Sequence, residues 1–342
     1  MNDIKITPLM DTLHLQKISD EVYFSKKYAN YISNSRLGLI NPEQGGDPKK
    51  FFQGFKPVYS AAFDIGSFVH QLVLQKDLFC ICDSVDKPTA KLGALADRLY
   101  KIYKGEIPSK EAIIEQATII DYYGGNLSEN RILEVINKCT NYWHSRRDFE
   151  SVYTGKVEML YTDAKSRQTV YNCVTALNNN RKVQELLHPT GIIVEPISEC
   201  EQAILLDILV EIENKKPFIL SLKSKLDNYT IDTESNVITV NDVKTIGRIV
   251  SEISSNIERF HYNREIAMYS WLLSLCAKKY YGIDCPIIKG NYLVVSTIPG
   301  YYTKVLPMTK KMFKEGWDEF KMLLKLVAKY VATEYQEFGV WI

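Results

Sequence analysis

A charge excess of either sign is missing from this chain. Its 342 residues carry 42 basic and 41 acidic side chains, a formal net charge of +1. No global field steers a polyanion toward it, so any nucleic-acid surface has to be a local patch. Closely spaced cysteines are missing too. The seven present (Cys80, Cys82, Cys139, Cys173, Cys200, Cys276, Cys285) are scattered, and none forms a C-x-x-C pair. That spacing speaks against a zinc ribbon or an iron–sulfur cluster and for buried thiols in a reducing compartment. No run of about 18 apolar residues exists, so no membrane-spanning helix is expected. The opening MNDIKITPLM lacks the basic-then-apolar order of a signal peptide. Internal repeats and low-complexity segments are absent as well. The expectation is a cytosolic globular protein, with a length that suits one large domain or two smaller ones.

What is present falls into two textures. Residues 1–190 read mainly as helix, with candidates at 60–75, 88–103, 109–122, 128–149 and 165–187. Pro88 and Ser128 suit helix starts, and Gly105, Gly124, Gly125 and Pro189 suit breaks. The stretch 36–56, RLGLINPEQGGDPKKFFQGFK, reads as a long basic loop. Phe51, Phe52 and Phe55 within it either wedge a nucleic-acid end or pack beneath exposed lysines. Residues 191–342 read differently. Strands are expected at 200–212, 217–231 and 237–244, then a helix at 258–279, strands at 287–297 and 301–306, and a helix from 309 to 335. The order predicts an α+β, mixed α/β fold: a core sheet flanked by helices, with a helical N-terminal portion.

The segment 217–244 reads as a hairpin turning at Thr233–Asn236, a four-residue loop that fixes the register. Facing residue numbers then sum to 469. Tyr229 meets Val240, Ile231 meets Ile238, Asp227 meets Asp242 and Lys225 meets Lys244. Side chains alternate along a strand, so all eight share one face. Directly opposite residues have Cβ atoms about 4.5–5.5 Å apart, and two carboxylates there repel unless a positive charge lies between them. A hard dication suits that gap, held by Asp227, Asp242 and the backbone carbonyl of Val243. Lys244 would stand beside it to orient water or stabilise charge on a phosphate. The competing reading is a solvated cross-strand lattice of charge pairs. D-x-K or E-x-K also begins at Asp3, Asp47, Asp163, Glu213 and Glu319, so the tripeptide alone decides nothing.

The surrounding pieces bear on that choice. LKSKLDNYTID followed by VITVNDVKT resembles the central signature of the PD-(D/E)XK nuclease superfamily, and within it the phage and prophage exonuclease VIII branch. IGSFVHQLVL at 65–74 is similar to that branch's G-S-x-x-H-x-L-V-L helix. YNREIAMY at 262–269 is similar to its Q-x-x-x-Y helix, and Ser33–Leu37 to its serine-containing start. The likeness spans most of the chain and is dense in about a third of it.

The resemblance implies a restriction-endonuclease-like core at 191–342, with 1–190 contributing the His70 helix, within one continuous compact domain. It implies a Mg2+- or Mn2+-dependent exodeoxyribonuclease, using two ions and no iron–sulfur cluster, on linear double-stranded DNA. The expected polarity is 5′-to-3′, leaving a 3′ single strand for an annealing protein, from a homo-oligomer in the host cytoplasm of a phage. His70 and Glu201 would complete the metal shell, although His70 also suits a buried core position and Glu199 competes with Glu201. Lys225, Arg264, Glu265 and Tyr269 are the candidate DNA contacts, Tyr269 equally a core plug. Glu265 departs from the branch's usual Gln, because an ionised carboxylate cannot donate to a phosphate. It would instead accept from Lys225 or Lys244, or bind metal indirectly. Two alternatives remain: a catalytically idle DNA-end-binding or structural phage protein, and a nuclease of the CRISPR-adaptation or helicase-linked kind.

Overall fold

The structure is a computed structural model and describes residues 4–54, 60–191 and 194–333. Among the described residues, nine strands run in chain order: β1 (Ile4–Pro8), β2 (His14–Lys17), β3 (Phe79–Asp86), β4 (Glu158–Thr162), β5 (Ile197–Ile212), β6 (Phe218–Asp232), β7 (Val237–Ile246), β8 (Ile287–Ser296) and β9 (Thr303–Pro307). The helices are α1 (Asp20–Tyr23), α2 (Asn34–Gly38), α3 (Pro48–Gln53), α4 (Ala61–Leu74), α5 (Ala90–Tyr103) and α6 (Lys110–Ile119). They continue with α7 (Glu129–Val152), α8 (Ala164–Asn178), α9 (Arg181–Leu187), α10 (Ile253–Phe260), α11 (Tyr262–Tyr281) and α12 (Lys310–Thr333). The fold is α+β, as the order of elements predicts. The chain forms two compact units, one of residues 1–56, 179–295 and 302–342, the other of 57–178 and 296–301.

The first unit holds a seven-stranded sheet in the order β1-β5-β6-β7-β8-β9, with β2 also paired to β5. Strand β7 is buried almost end to end, the mark of an interior strand covered on both faces. One face meets α11 and α12, where Leu206, Ile208, Ile238 and Val240 join Met268, Leu272, Phe320 and Leu323 in a single core.

The β6–β7 turn falls at 233–236, and Tyr229↔Val240 and Ile231↔Ile238 are paired as the hairpin reading requires. A buried chain of amides holds this register. Asn241 donates to Asn228 Oδ1 at 2.8 Å, and Asn291 donates to Asn241 Oδ1 at 2.9 Å, linking β6, β7 and β8. A one-residue slip would orphan these groups in the core, so register is defined by polar satisfaction as well as by the apolar pattern.

In the second unit, β3 and β4 form a two-stranded parallel sheet beside α5, α6 and α7. Arg146 lies 4.2 Å from the ring centres of both Tyr100 and Tyr161 and pairs with Asp97 and Glu150 at 2.9 and 2.8 Å. Helix α4 begins at the Ser60 cap, whose side chain accepts from the Phe63 N–H, and it carries His70.

Several expectations need correcting. The described residues of the region 1–190 include four strands. Two of them, β1 and β2, have only five and four residues and exist through pairing with β5 some 190 residues on, which local pattern does not encode. The stretch 36–56 is not one loop, since α2 and α3 form within it. Phe51 and Phe52 are 0% and 7% exposed and belong to the core, so neither wedges DNA; Phe55 lies outside the described residues. The helix expected at 258–279 breaks at His261, which adopts φ 54° and separates α10 from α11. The helix expected at 165–187 breaks before Asn180, whose side chain caps α9. Residues 334 and 335 of the expected closing helix lie outside the described residues.

Candidate metal and active site

The β6–β7 ladder stops at Asn228↔Asn241. Beyond it the Val243 N–H has a side-chain partner, donating to Asp227 Oδ2 at 2.7 Å. The two strands thus open where the carboxylates begin. Asp242 is 3% exposed; its Oδ1 accepts from Lys244 Nζ at 2.9 Å, and its Oδ2 is buried without a hydrogen-bond partner among the described residues. Burial pushes the Asp242 carboxyl up to about 8, with Glu265 and Asp227 adding to the rise and Lys244 opposing it. A buried carboxylate oxygen with nothing to accept from is costly, and a cation would satisfy it.

The third carboxylate comes from β5. Glu201 lies between the pairs Cys200↔Asn228 and Gln202↔Leu226, opposite Asp227. It has φ 57°, left-handed for a non-glycine residue inside a strand. Such backbone is uncommon and costs of order 1–3 kcal/mol, and it turns a side chain out of the pleat. Carboxylate oxygens of Glu201 and Asp227 lie within 4.8 Å of one another. Lys225 neutralises this corner, its Nζ 2.6 Å from Glu201 and 2.5 Å from Asp20. Glu199 pairs with Tyr229 in the ladder and is exposed. The three carboxylates offer oxygen donors, which fit a hard divalent cation.

Lys244 has three neighbours. Its Nζ reaches Asp242 at 2.9 Å and Glu265 Oε2 at 3.0 Å, and it lies 4.5 Å from the centre of the Tyr262 ring. Burial alone would pull its pKa down, but Asp242, Glu265 and Asp227 outweigh that and hold it well above the usual lysine value. It is therefore an ammonium at neutral pH. Glu265 Oε1 also accepts from Tyr269 OH at 3.2 Å, and Tyr269 is 9% exposed.

The hairpin residues divide differently from the expected face. Asp227, Asp242, Lys244, Glu265 and Tyr269 come together, and Glu201 joins Asp227. Lys225 does not face Lys244, because the strands have parted and each lysine has taken its own carboxylates. Arg264 is 1% exposed, with its guanidinium on Glu319 at 2.6 Å and Asn34 at 2.7 Å. It ties α11 to α12 and α2 and presents no charge to solvent. His261 lies at the α10–α11 break and pairs with Glu319 at 2.8 Å. His70 lies on α4 of the second unit, half-buried.

Three neighbours escaped the sequence reading. Tyr262 stands three before Glu265, a helical spacing that points at the same face. Asp20 pairs with Lys225 across 205 positions, for which no local signal exists. Lys223, two before Lys225, is 7% exposed and donates to the Tyr23 carbonyl at 2.8 Å. Burial pulls its pKa down to about 8, and Arg36 adds to the fall.

No helix among the described residues is long and apolar enough to cross a membrane. No family model matches the chain, and no curated protein matches it. Among solved structures it is similar to a crystal structure named "Putative exonuclease" from Eubacterium rectale. That likeness has a TM-score of 0.47 at 11% identity, over 92% of this chain and 86% of the other. A likeness this distant carries no assignment of activity.

Proposed function

We propose that the chain is a Mg2+- or Mn2+-dependent nuclease of the PD-(D/E)XK kind that hydrolyses DNA phosphodiesters. The observation that carries this reading is the buried, partnerless Oδ2 of Asp242, beside Asp227 at the opening of two strands and two residues before a charged lysine. Asp227, Asp242, Glu201 and the Val243 carbonyl would hold the dication. When bound, the dication supplies Lewis-acid polarisation of the scissile phosphate.

The residues then have separable roles. Lys244 is charged, so it cannot act as the base; it donates hydrogen bonds to the attacking water or to the phosphate oxygen on which charge develops. Glu265 and the Tyr262 ring hold the ammonium in place, and Tyr269 holds Glu265. Lys225 holds Glu201 in place. The finer reading follows the sequence motifs: 5′-to-3′ degradation of linear duplex DNA, a 3′ strand handed to an annealing protein, and a phage-type recombination role. The test is incubation of end-labelled linear and nicked circular duplex DNA with Mg2+, Mn2+ or chelator. The reading requires loss of linear DNA with metal only, from the 5′ label first, and no loss with Asp227→Ala. Intact DNA with wild type in both metals would remove the enzyme reading in favour of an idle DNA-end binder.

A further inference from the structure

Phe260 and Tyr262 stand two residues apart, yet their rings stack, with centroids 5.6 Å apart and planes 27° from parallel. In one continuous helix, side chains two apart point about 200° from each other and do not meet. The break at His261 brings them together. Its φ of 54° ends α10 and starts α11, and its pairing with Glu319 holds the bend. Left-handed backbone is costly for a residue with a Cβ, and such strain gathers at functional sites.

What the bend builds is an aromatic step leading away from the candidate metal site. The Tyr262 ring lies 4.5 Å from the Lys244 ammonium, and the two spacings end to end put the Phe260 ring within about 10 Å of it. Phe260 shares a helix face with Ile253 and Ile257, which are 0% and 3% exposed, yet it is itself 43% exposed. The apolar face of α10 therefore runs past the edge of the core and ends in solvent beside the site. Arg259 lies 5.2 Å from the centre of the Phe260 ring and has no carboxylate partner among the described residues. An exposed ring with such a cation at its rim, next to a charged lysine, fits a nucleotide: a base for the ring and a phosphate for the guanidinium.

We propose that Phe260 is the platform on which an unpaired base beside the scissile phosphate stacks, a role that rests on the nuclease reading of the carboxylate site. Arg259 gives up the ring and takes that nucleotide's phosphate. A base–aromatic stack is worth more than an exposed cation–π contact, so the base displaces the guanidinium. Every base has a π face, so the platform is tolerant of sequence. Inside a duplex both faces of a base are covered by its neighbours, and unstacking costs least where the strand is already unpaired. The site thereby favours frayed or single-stranded ends over paired ones.

The test is cleavage by the full chain, with Mn2+, of end-labelled duplexes that have unpaired ends and one abasic position moved stepwise along the cut strand. Wild type should lose about 5- to 150-fold in kcat/KM when that position falls beside the cleaved phosphate, the range of one base–aromatic stack. Phe260→Ala, shown to be folded by an unchanged thermal transition, should lose a similar factor on intact DNA and nothing further on abasic DNA. Phe260→Leu keeps apolar volume without a π face and should behave as Phe260→Ala does, while Phe260→Trp should restore the wild-type response. Wild type indifferent to every abasic position would overturn the proposal. So would a Phe260→Ala that responds to the abasic position as wild type does, because the ring would then only support Tyr262 and Lys244. Either result leaves the nuclease reading standing. A wild type that cuts no DNA with Mg2+ or Mn2+ would remove that reading, and the platform with it.

Discussion

Asp242→Asn should make the metal-free protein more stable and the metal-loaded protein less responsive. An unfolded chain releases the Asp proton near 3.9. In the fold, burial first, then Glu265 and Asp227, push that carboxyl up to about 8 against the pull of Lys244. A raised carboxyl pKa means that the folded state holds the proton more tightly. Its contribution to stability is full below about 4 and is lost as pH rises toward 8. At pH 7.5, about 3.6 pH units above the unfolded-chain value, the ceiling on that loss is about 5 kcal/mol at 1.36 kcal/mol per unit. Relaxation around a buried charge removes much of that, so a gain of about 2–3 kcal/mol is expected for the neutral amide. At about 2–4 °C per kcal/mol, Tm in EDTA should rise by roughly 4–12 °C. Adding Mn2+ should raise the wild-type Tm by several degrees and leave Asp242→Asn nearly unmoved. The assay is thermal unfolding followed by fluorescence at pH 7.5, with and without metal. A variant that melts below wild type in EDTA, or that gains as much from Mn2+, would refute the argument.

Glu265→Gln removes the charge that holds Lys244 while keeping a hydrogen-bonding side chain. The loss of one charge-assisted bond, about 1.5–3 kcal/mol, should lower kcat about 10- to 100-fold with KM little changed; an equal rise in KM would mean a substrate contact instead. Asn241→Ala should cost about 2–4 kcal/mol in urea unfolding, because Asn228 and Asn291 lose a buried partner at once. Arg264→Met should cost about 3–5 kcal/mol by leaving Glu319 without its guanidinium. Adding Glu319→Gln to that variant should recover part of the loss, and no recovery would assign the cost to packing.

The hairpin was legible because its information is local. A four-residue turn at Thr233–Asn236 sets the register, and the apolar pairs Tyr229–Val240 and Ile231–Ile238 hold it. What local pattern could not show was where the ladder ends. The Val243 N–H bonds to the Asp227 side chain, so the strands part and Lys225 never faces Lys244. Partners far along the chain were equally hidden: Asp20 on Lys225, Asn34 on Arg264 and Glu319 on His261. For Phe51 and Phe52 the sequence left wedging and packing both open, because Gly, Pro and Lys surround them, and the short helix α3 buries both. The break at His261 has no proline or glycine to announce it. Its imidazole and the neighbouring Arg264 meet at Glu319, a tertiary contact that overrides helical periodicity.

The central claim is that the carboxylates of β5, β6 and β7 hold a divalent metal. Anomalous diffraction from crystals soaked in Mn2+ tests it most directly. A peak is expected about 2.0–2.6 Å from oxygens of Asp227 and Asp242, lost in crystals of Asp242→Asn. Soaked wild-type crystals with no peak among Asp227, Asp242 and Glu201 would contradict it.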